Sequence, residues 1–97
     1  MALGIKFSED KNQLLKATRG ISFEEIRDAI ESGKLLADIA HPVHKYSHQR
    51  LYVVDINRYA YSVPYVMNNE KSEVFLKTAY PSRAFTKYYL KGGNDDK

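Results

Sequence analysis

Residues 51–66 read LYVVDI-NR-YAYSVPYV, two alternating apolar runs on either side of a two-residue turn. Leu51 to Ile56 has the composition of a strand, Asn57-Arg58 that of a tight turn, and Tyr59 to Val66 that of the partner strand. Along the partner strand Tyr59, Tyr61, Val63 and Tyr65 share one face, and Ala60, Ser62, Pro64 and Val66 share the other. Pro64 has no N–H to give to a ladder, which predicts an edge position or a bulge.

The flanking segments extend this hairpin. Asn68-Asn69-Glu70-Lys71 reads as a further turn, and Glu73 to Tyr80 as a fourth strand. Its alternation puts Val74, Leu76 and Thr78 on one face and Phe75, Lys77 and Ala79 on the other. Pro81 stops that strand, and Ser82 is placed to cap a last helix running to about residue 90 (Leu90), closed by Gly92-Gly93. Residues 94–97 read as a flexible tail. On the other side of the hairpin, residues 41–50 are polar, with Pro42 and three histidines, and read as a loop. Lys34 to Ile39 reads as a short strand before that loop.

Two helices precede the strands. Ser8 caps the first, over residues 8–17, with Glu9 and Asp10 in its first turn and Arg19-Gly20 at its end. Its apolar positions, Leu14, Leu15 and Ala17, form a narrow stripe. The second opens on Ser22-Phe23-Glu24-Glu25, a capping box in which Ser22 and Glu25 satisfy each other's backbone. Phe23, Ile26, Ala29 and Ile30 recur at helical spacing, Ile21 is placed to staple against Ile26, and Gly33 supplies a left-handed stop. The expected fold class is α+β: two N-terminal helices, a four-stranded antiparallel meander and a C-terminal helix, with helices on one face. A single domain over residues 1–93 is expected, since 97 residues can bury one core but not two.

Composition narrows the function classes. Hydrophobic residues are 43% and charged residues 28%, so a wholly disordered chain is excluded, and no apolar run reaches the ~20 residues that cross a bilayer. The first residues lack the apolar stretch of a secretory signal, so a cytoplasmic protein is expected, with no membrane partner. There are no cysteines, which removes disulfides, thiolate zinc sites and cysteine nucleophiles. The net charge of +3 is unevenly spread. Residues 1–40 hold six Lys/Arg against seven Asp/Glu, whereas residues 41–93 hold eight against three together with all eight tyrosines. A basic, tyrosine-rich half suits a polyanion or an acidic partner.

Particular residues sharpen this. Arg83, Lys87 and Lys91 recur every four residues and form one basic stripe on the last helix, with Phe85, Tyr88 and Tyr89 on its far side. Lys77 is placed near the start of that helix, and an arginine beside it suits phosphate. His41, His44 and His48 lie within eight residues, but their spacing matches none of the specific zinc patterns, and no metal site is expected. His48, two residues before Arg50, is the best placed of the three for proton transfer. No Gly-rich phosphate loop, nucleophile elbow or basic recognition helix is present.

Taken together, Gly20-Ile21-Ser22-Phe23-Glu24-Glu25, the strands, and Lys77-Thr78-Ala79-Tyr80-Pro81-Ser82-Arg83-Ala84 resemble the BrnT-type toxins of bacterial type II toxin–antitoxin pairs, small ribonucleases of RelE-like fold. The resemblance covers about residues 7–90, with matches at Phe7, Lys11, Arg50, Arg83, and Tyr88 or Tyr89. The chain departs from that pattern in Tyr80-Pro81 before Ser82-Arg83, in Ala84 where a basic residue often follows, and in a longer, histidine-rich 41–50 segment. The resemblance implies an mRNA interferase that needs neither metal nor cofactor. The 2′-hydroxyl attacks the adjacent phosphate, leaving a 2′,3′-cyclic phosphate and a free 5′-hydroxyl. It implies phosphate and transition-state stabilisation by Arg50 and Arg83, supporting RNA contacts from Lys77, Lys87 and Lys91, and proton transfer or stacking by Tyr88 or His48. It also implies a cognate antitoxin, a DNA-binding protein that occludes the basic face. The alternative is a non-catalytic module holding RNA or protein on the same scaffold, with Arg50 in a cross-strand ion pair to Asp55 or Glu73. The nuclease expectation requires Arg50 and the last helix to converge on one pocket.

Overall fold

The computed structural model describes residues 4–91. It is α+β with a mixed sheet, built from β1 (Gly4–Phe7), α1 (Glu9–Arg19), α2 (Phe23–Glu31), β2 (Leu35–Ala40), β3 (Arg50–Ile56), β4 (Tyr59–Asn68), β5 (Glu73–Leu76), β6 (Tyr80–Pro81) and α3 (Arg83–Phe85). A 3-10 turn at His44–Tyr46 interrupts the loop before β3, and α3 runs on as a π-helical segment, Thr86–Lys91. The expected helix stop at Gly92-Gly93 and the tail lie outside the described residues.

The sheet is not the expected four-stranded meander. Strands β2 to β5 do pair antiparallel in sequence order, but the sheet order is β1-β5-β4-β3-β2, with β1 parallel to β5 and β6 paired to β4. The β3–β4 hairpin turns at Asn57 and Arg58, both with positive φ (54° and 70°), the two left-handed positions of a type I′ turn. Register Arg50↔Tyr65 through Ile56↔Tyr59 places Tyr52, Val54, Ile56, Val63 and Tyr65 on one face, where they join Leu15, Phe23 and Ile26 in the main core. Helix α2 packs across β3 and β2. Burial is not confined to that face. Leu51, Val53, Ala60 and Ser62 point the other way and are all buried, and α3 with its π-helical continuation packs against β4.

The expected single strand over 73–80 is broken, and Pro64 is the physical reason. In an antiparallel strand a residue's N–H and C=O point to the same neighbour. The Pro64 carbonyl accepts from Lys77 N–H at 2.8 Å, so its donorless nitrogen faces the same segment. Pairing runs Tyr65↔Leu76 on one side of this point and Ser62↔Tyr80 on the other, three steps on β4 against four on its partner. The extra residue makes a bulge at 77–79. It also changes the expected faces: Ala79 is fully buried in the core with Val74 and Leu76. Pro64 is therefore not on an edge strand. It is paired to β3 on one side and opposite the bulge on the other.

Both early helices form at the expected caps. Ser8 accepts from Lys11 N–H, and Gly20 (φ 71°) ends α1 in the left-handed conformation. The capping box of α2 is complete, with both Ser22–Glu25 bonds present. On α1, however, Leu14 is 59% exposed and the fully buried positions are Leu15 and Asn12. Asn12 donates from Nδ2 to Glu24 Oε1 at 2.9 Å and accepts from Phe23 N–H at 2.7 Å. It thus adds a second cap to α2 from the neighbouring helix, and its bond holds the Glu24 carboxyl below the usual carboxylate range. Among the described residues no helix is long and apolar enough to cross a membrane.

Asn12→Ala is expected to leave the Phe23 N–H buried without a partner and to cost about 2–3 kcal/mol. Urea unfolding should show a lower midpoint with an unchanged slope. A midpoint within error of wild type would remove Asn12 from the core's support.

Candidate nucleic-acid interface

The bulge at 77–79 opens a cleft of about 410 Å³ against the 41–49 loop and the first turn of α1. Lys11, His41, Tyr46, Gln49, Lys77, Thr78 and Tyr80 contribute its polar lining, and among the described residues no carboxylate lines it. Each is positioned by local geometry. The 3-10 turn, through Tyr46 N–H to Val43 O and Gln49 N–H to Tyr46 O, folds the loop back over the sheet. The His41 and Tyr46 rings meet at 5.2 Å, tilted by 52°. Lys77 is fixed by its backbone bond to Pro64 and rests with Nζ 5.4 Å over the Phe75 ring. Val43 N–H donates to His41 Nδ1 at 3.1 Å. That nitrogen is then the unprotonated one, and the neutral ring carries its proton on Nε2, a donor.

Arg50 is engaged elsewhere. Its Nε lies 3.0 Å from Asp38 Oδ1 and its Nη2 donates to the Asp38 carbonyl at 2.9 Å. The ion-pair partner is thus the residue across β2, not Asp55 or Glu73, and the bond raises Arg50 further above its ordinary ionisation range. The Tyr65 hydroxyl donates to the same Asp38 oxygen at 2.7 Å, and the Tyr65 ring stacks on Tyr52 at 3.9 Å. Burial first, and the Asp38 bond second, push the Tyr65 phenol well above the usual tyrosine range; burial shifts Tyr52 the same way.

Arg83 and Lys87 border a different cleft, of about 340 Å³, with Tyr59 and Thr86. Thr86 ties this region together, donating to Ser82 O at 2.7 Å and accepting from Ala60 N–H at 2.8 Å. Arg50 stands opposite Tyr65 at one end of β4, and Arg83 stands by Tyr59 at the other. Six residues at ~3.3 Å each separate these ends by about 20 Å. The structure therefore does not bring Arg50 and Arg83 to one pocket. Tyr88 is 73% exposed and meets Tyr89 edge-on. His48 is exposed beside Gln49, its Nε2 3.4 Å from the amide nitrogen. Lys91 ends the described chain, and its side chain lies outside the description. Of the six residues singled out from the sequence whose side chains are described, Lys77 alone lines the larger cleft. His41 reads from the sequence as less well placed than His48, and Tyr46, Gln49 and Tyr80 carry no site signal of their own there. The signal for them is the loop that follows β2 and the Tyr80-Pro81 step, both of which face the Pro64 break. Among the described residues, no three histidine, aspartate or glutamate side chains group closely enough to hold a metal ion.

Comparison with family models, curated proteins and solved structures gives no match.

A tyrosine whose ionisation is raised by folding stabilises the protein fully below the unfolded value of about 10 and loses that contribution as pH climbs beyond it. Stability should therefore fall above about pH 10. Tyr65→Phe should flatten that fall and cost about 1–3 kcal/mol near neutral pH through the lost bond to Asp38. Urea midpoints at about pH 8 and about pH 11 provide the measurement, and identical alkaline slopes for both proteins would contradict it.

Proposed function

We propose that this protein is a ribonuclease toxin with a RelE-like fold, similar to the BrnT-type toxins, and that it grips RNA in the cleft beside the 77–79 bulge. The observation that carries this reading is the lining of that cleft by described residues: two lysines, a histidine whose Nδ1 accepts from Val43 N–H and whose Nε2 is left to donate, and two tyrosines, with no carboxylate among them. Lys11 and Lys77 neutralise the phosphate and the extra charge of the phosphorane. His41 Nε2–H donates to a non-bridging phosphate oxygen. Tyr46 and Tyr80 offer ring faces to an unpaired base and hydroxyls for proton exchange. In the cleavage step the 2′-oxygen bonds to phosphorus as its proton leaves, and the bond to the 5′-oxygen breaks as that oxygen is protonated. Chain atoms alone can serve these roles, as the resemblance implies.

Arg50 and the last helix do not converge on one pocket, so the requirement that the resemblance set is not met and the nuclease reading rests on the lysine cleft instead; the two arginines take other parts. Arg50 is committed to Asp38 and orders the strand end next to Gln49, while Arg83 and Lys87 lie on the neighbouring cleft. The proposed partner is a cognate antitoxin, a DNA-binding protein whose acidic surface covers the cationic clefts. The separation of Arg50 from Arg83 favours one second reading, a module that holds RNA without cutting it.

Strong expression in a bacterium should arrest growth and fragment RNA, with 5′-hydroxyl ends at the cuts. Lys77→Ala and Lys11→Ala should each slow cleavage of a purified RNA by about 10²–10³-fold while urea midpoints stay near wild type. Salt-sensitive RNA binding with no cleavage would move the assignment to the binding module. Harmless expression, intact RNA and no RNA binding would overturn both.

A further inference from the structure

The cleft bordered by Tyr59, Arg83, Thr86 and Lys87 is not explained by the site above. Thr86 is spent on the fold, since its hydroxyl bridges Ser82 O and Ala60 N–H. Among the described residues the other three side chains make no hydrogen bond or ion pair. Arg83 and Lys87 are exposed, one helical turn apart, and border the same space. Tyr59 is 37% exposed and leans edge-on to Tyr61, with centroids 6.3 Å apart, which leaves a ring beside two cations. Among the described residues no carboxylate lines the cleft. By contrast, the cleft along α2 is lined by Glu25, Asp28 and Asp55 with a single lysine.

The two cationic clefts are neighbours along the chain. Tyr80 borders one and Arg83 the other, three residues apart, and along β4 Pro64 borders the first and Tyr59 the second, five residues at ~3.3 Å or about 17 Å. A stacked single strand covers that distance in about five nucleotides at ~3.4 Å each. We propose that the Tyr59–Arg83–Lys87 cleft is a second RNA site, which binds the single-stranded segment flanking the phosphate held at Lys11 and Lys77, with a base on Tyr59 and phosphates on the two cations. This rests on the reading of the first cleft as an RNA site. It assigns Arg83 and Lys87 to holding the strand rather than to the reacting phosphate.

The test compares uncleavable 2′-O-methyl RNAs, a dinucleotide and an octamer, binding to the full chain across a salt series. Wild type should bind the octamer at least about tenfold more tightly than the dinucleotide. In the Arg83→Ala/Lys87→Ala double variant the octamer should bind about as weakly as the dinucleotide, and the salt slope should shrink by about 1.4, the value for two phosphate contacts on a single strand. Tyr59→Leu should cost octamer affinity about tenfold, and Tyr59→Phe should retain it. A Lys16→Ala/Lys71→Ala variant removes equal charge elsewhere and should lose far less. Equal losses in the two double variants would reduce the effect to general charge and overturn the second site. So would an octamer no tighter than the dinucleotide, which would leave this cleft to an acidic protein partner. Failure of wild type to bind either RNA would instead bring down the reading of the first cleft.

Discussion

A missing hydrogen on one nitrogen organises the half of this molecule that borders the larger lysine cleft. Pro64 sits inside a paired strand, with β3 satisfied on one side and its donorless nitrogen turned to the other. The strand on that side cannot continue in register past it, so the chain slips by one residue and leaves the sheet between Leu76 and Tyr80. Two consequences share this cause. Ala79 turns into the core and anchors the detour, and Lys77, Thr78 and Tyr80 are distributed around a concavity that a continuous ladder would have closed.

Charge and hydrogen bonding then divide the surface. Acidic side chains are used early in the chain, where Glu24 and Glu25 serve the start of α2. Asp38 collects Arg50 and Tyr65 at the strand ends. Among the described residues, no carboxylate lines either cleft that carries lysine or arginine beside tyrosine. A phosphate approaching these clefts meets cations without first having to displace a bound acid. Arg50 differs, because an anion there competes with a partner already bonded to it twice.

Local signals in the sequence accounted for local structure. The hairpin, its Asn57-Arg58 turn, the Ser8 cap and the complete capping box at Ser22 are all short-range features whose chemistry is written in adjacent residues. Features decided by distant partners were not legible. Strand β1 is four residues long and exists because β5 offers it a parallel edge. Asn12 reads as a polar helix position, and only the arrival of Phe23 and Glu24 buries it. Pro64 predicts an edge position or a bulge; β4 is not an edge strand, and the bulge lies in the partner segment, which breaks the strand expected over 73–80 and turns Ala79 into the core. The same limit applied to the site. Basic residues at helical spacing were visible, whereas the meeting of His41, Tyr46 and Lys77 required the loop to fold back across the sheet.

The Asn12 clamp reaches beyond stability. Lys11 is the adjacent residue, so the bonds that seat α1 against α2 also set where that ammonium stands relative to the bulge. The cation is solvent-facing and its anchor is interior. Displacement of this ammonium can therefore follow from interior repacking with no change to any surface group.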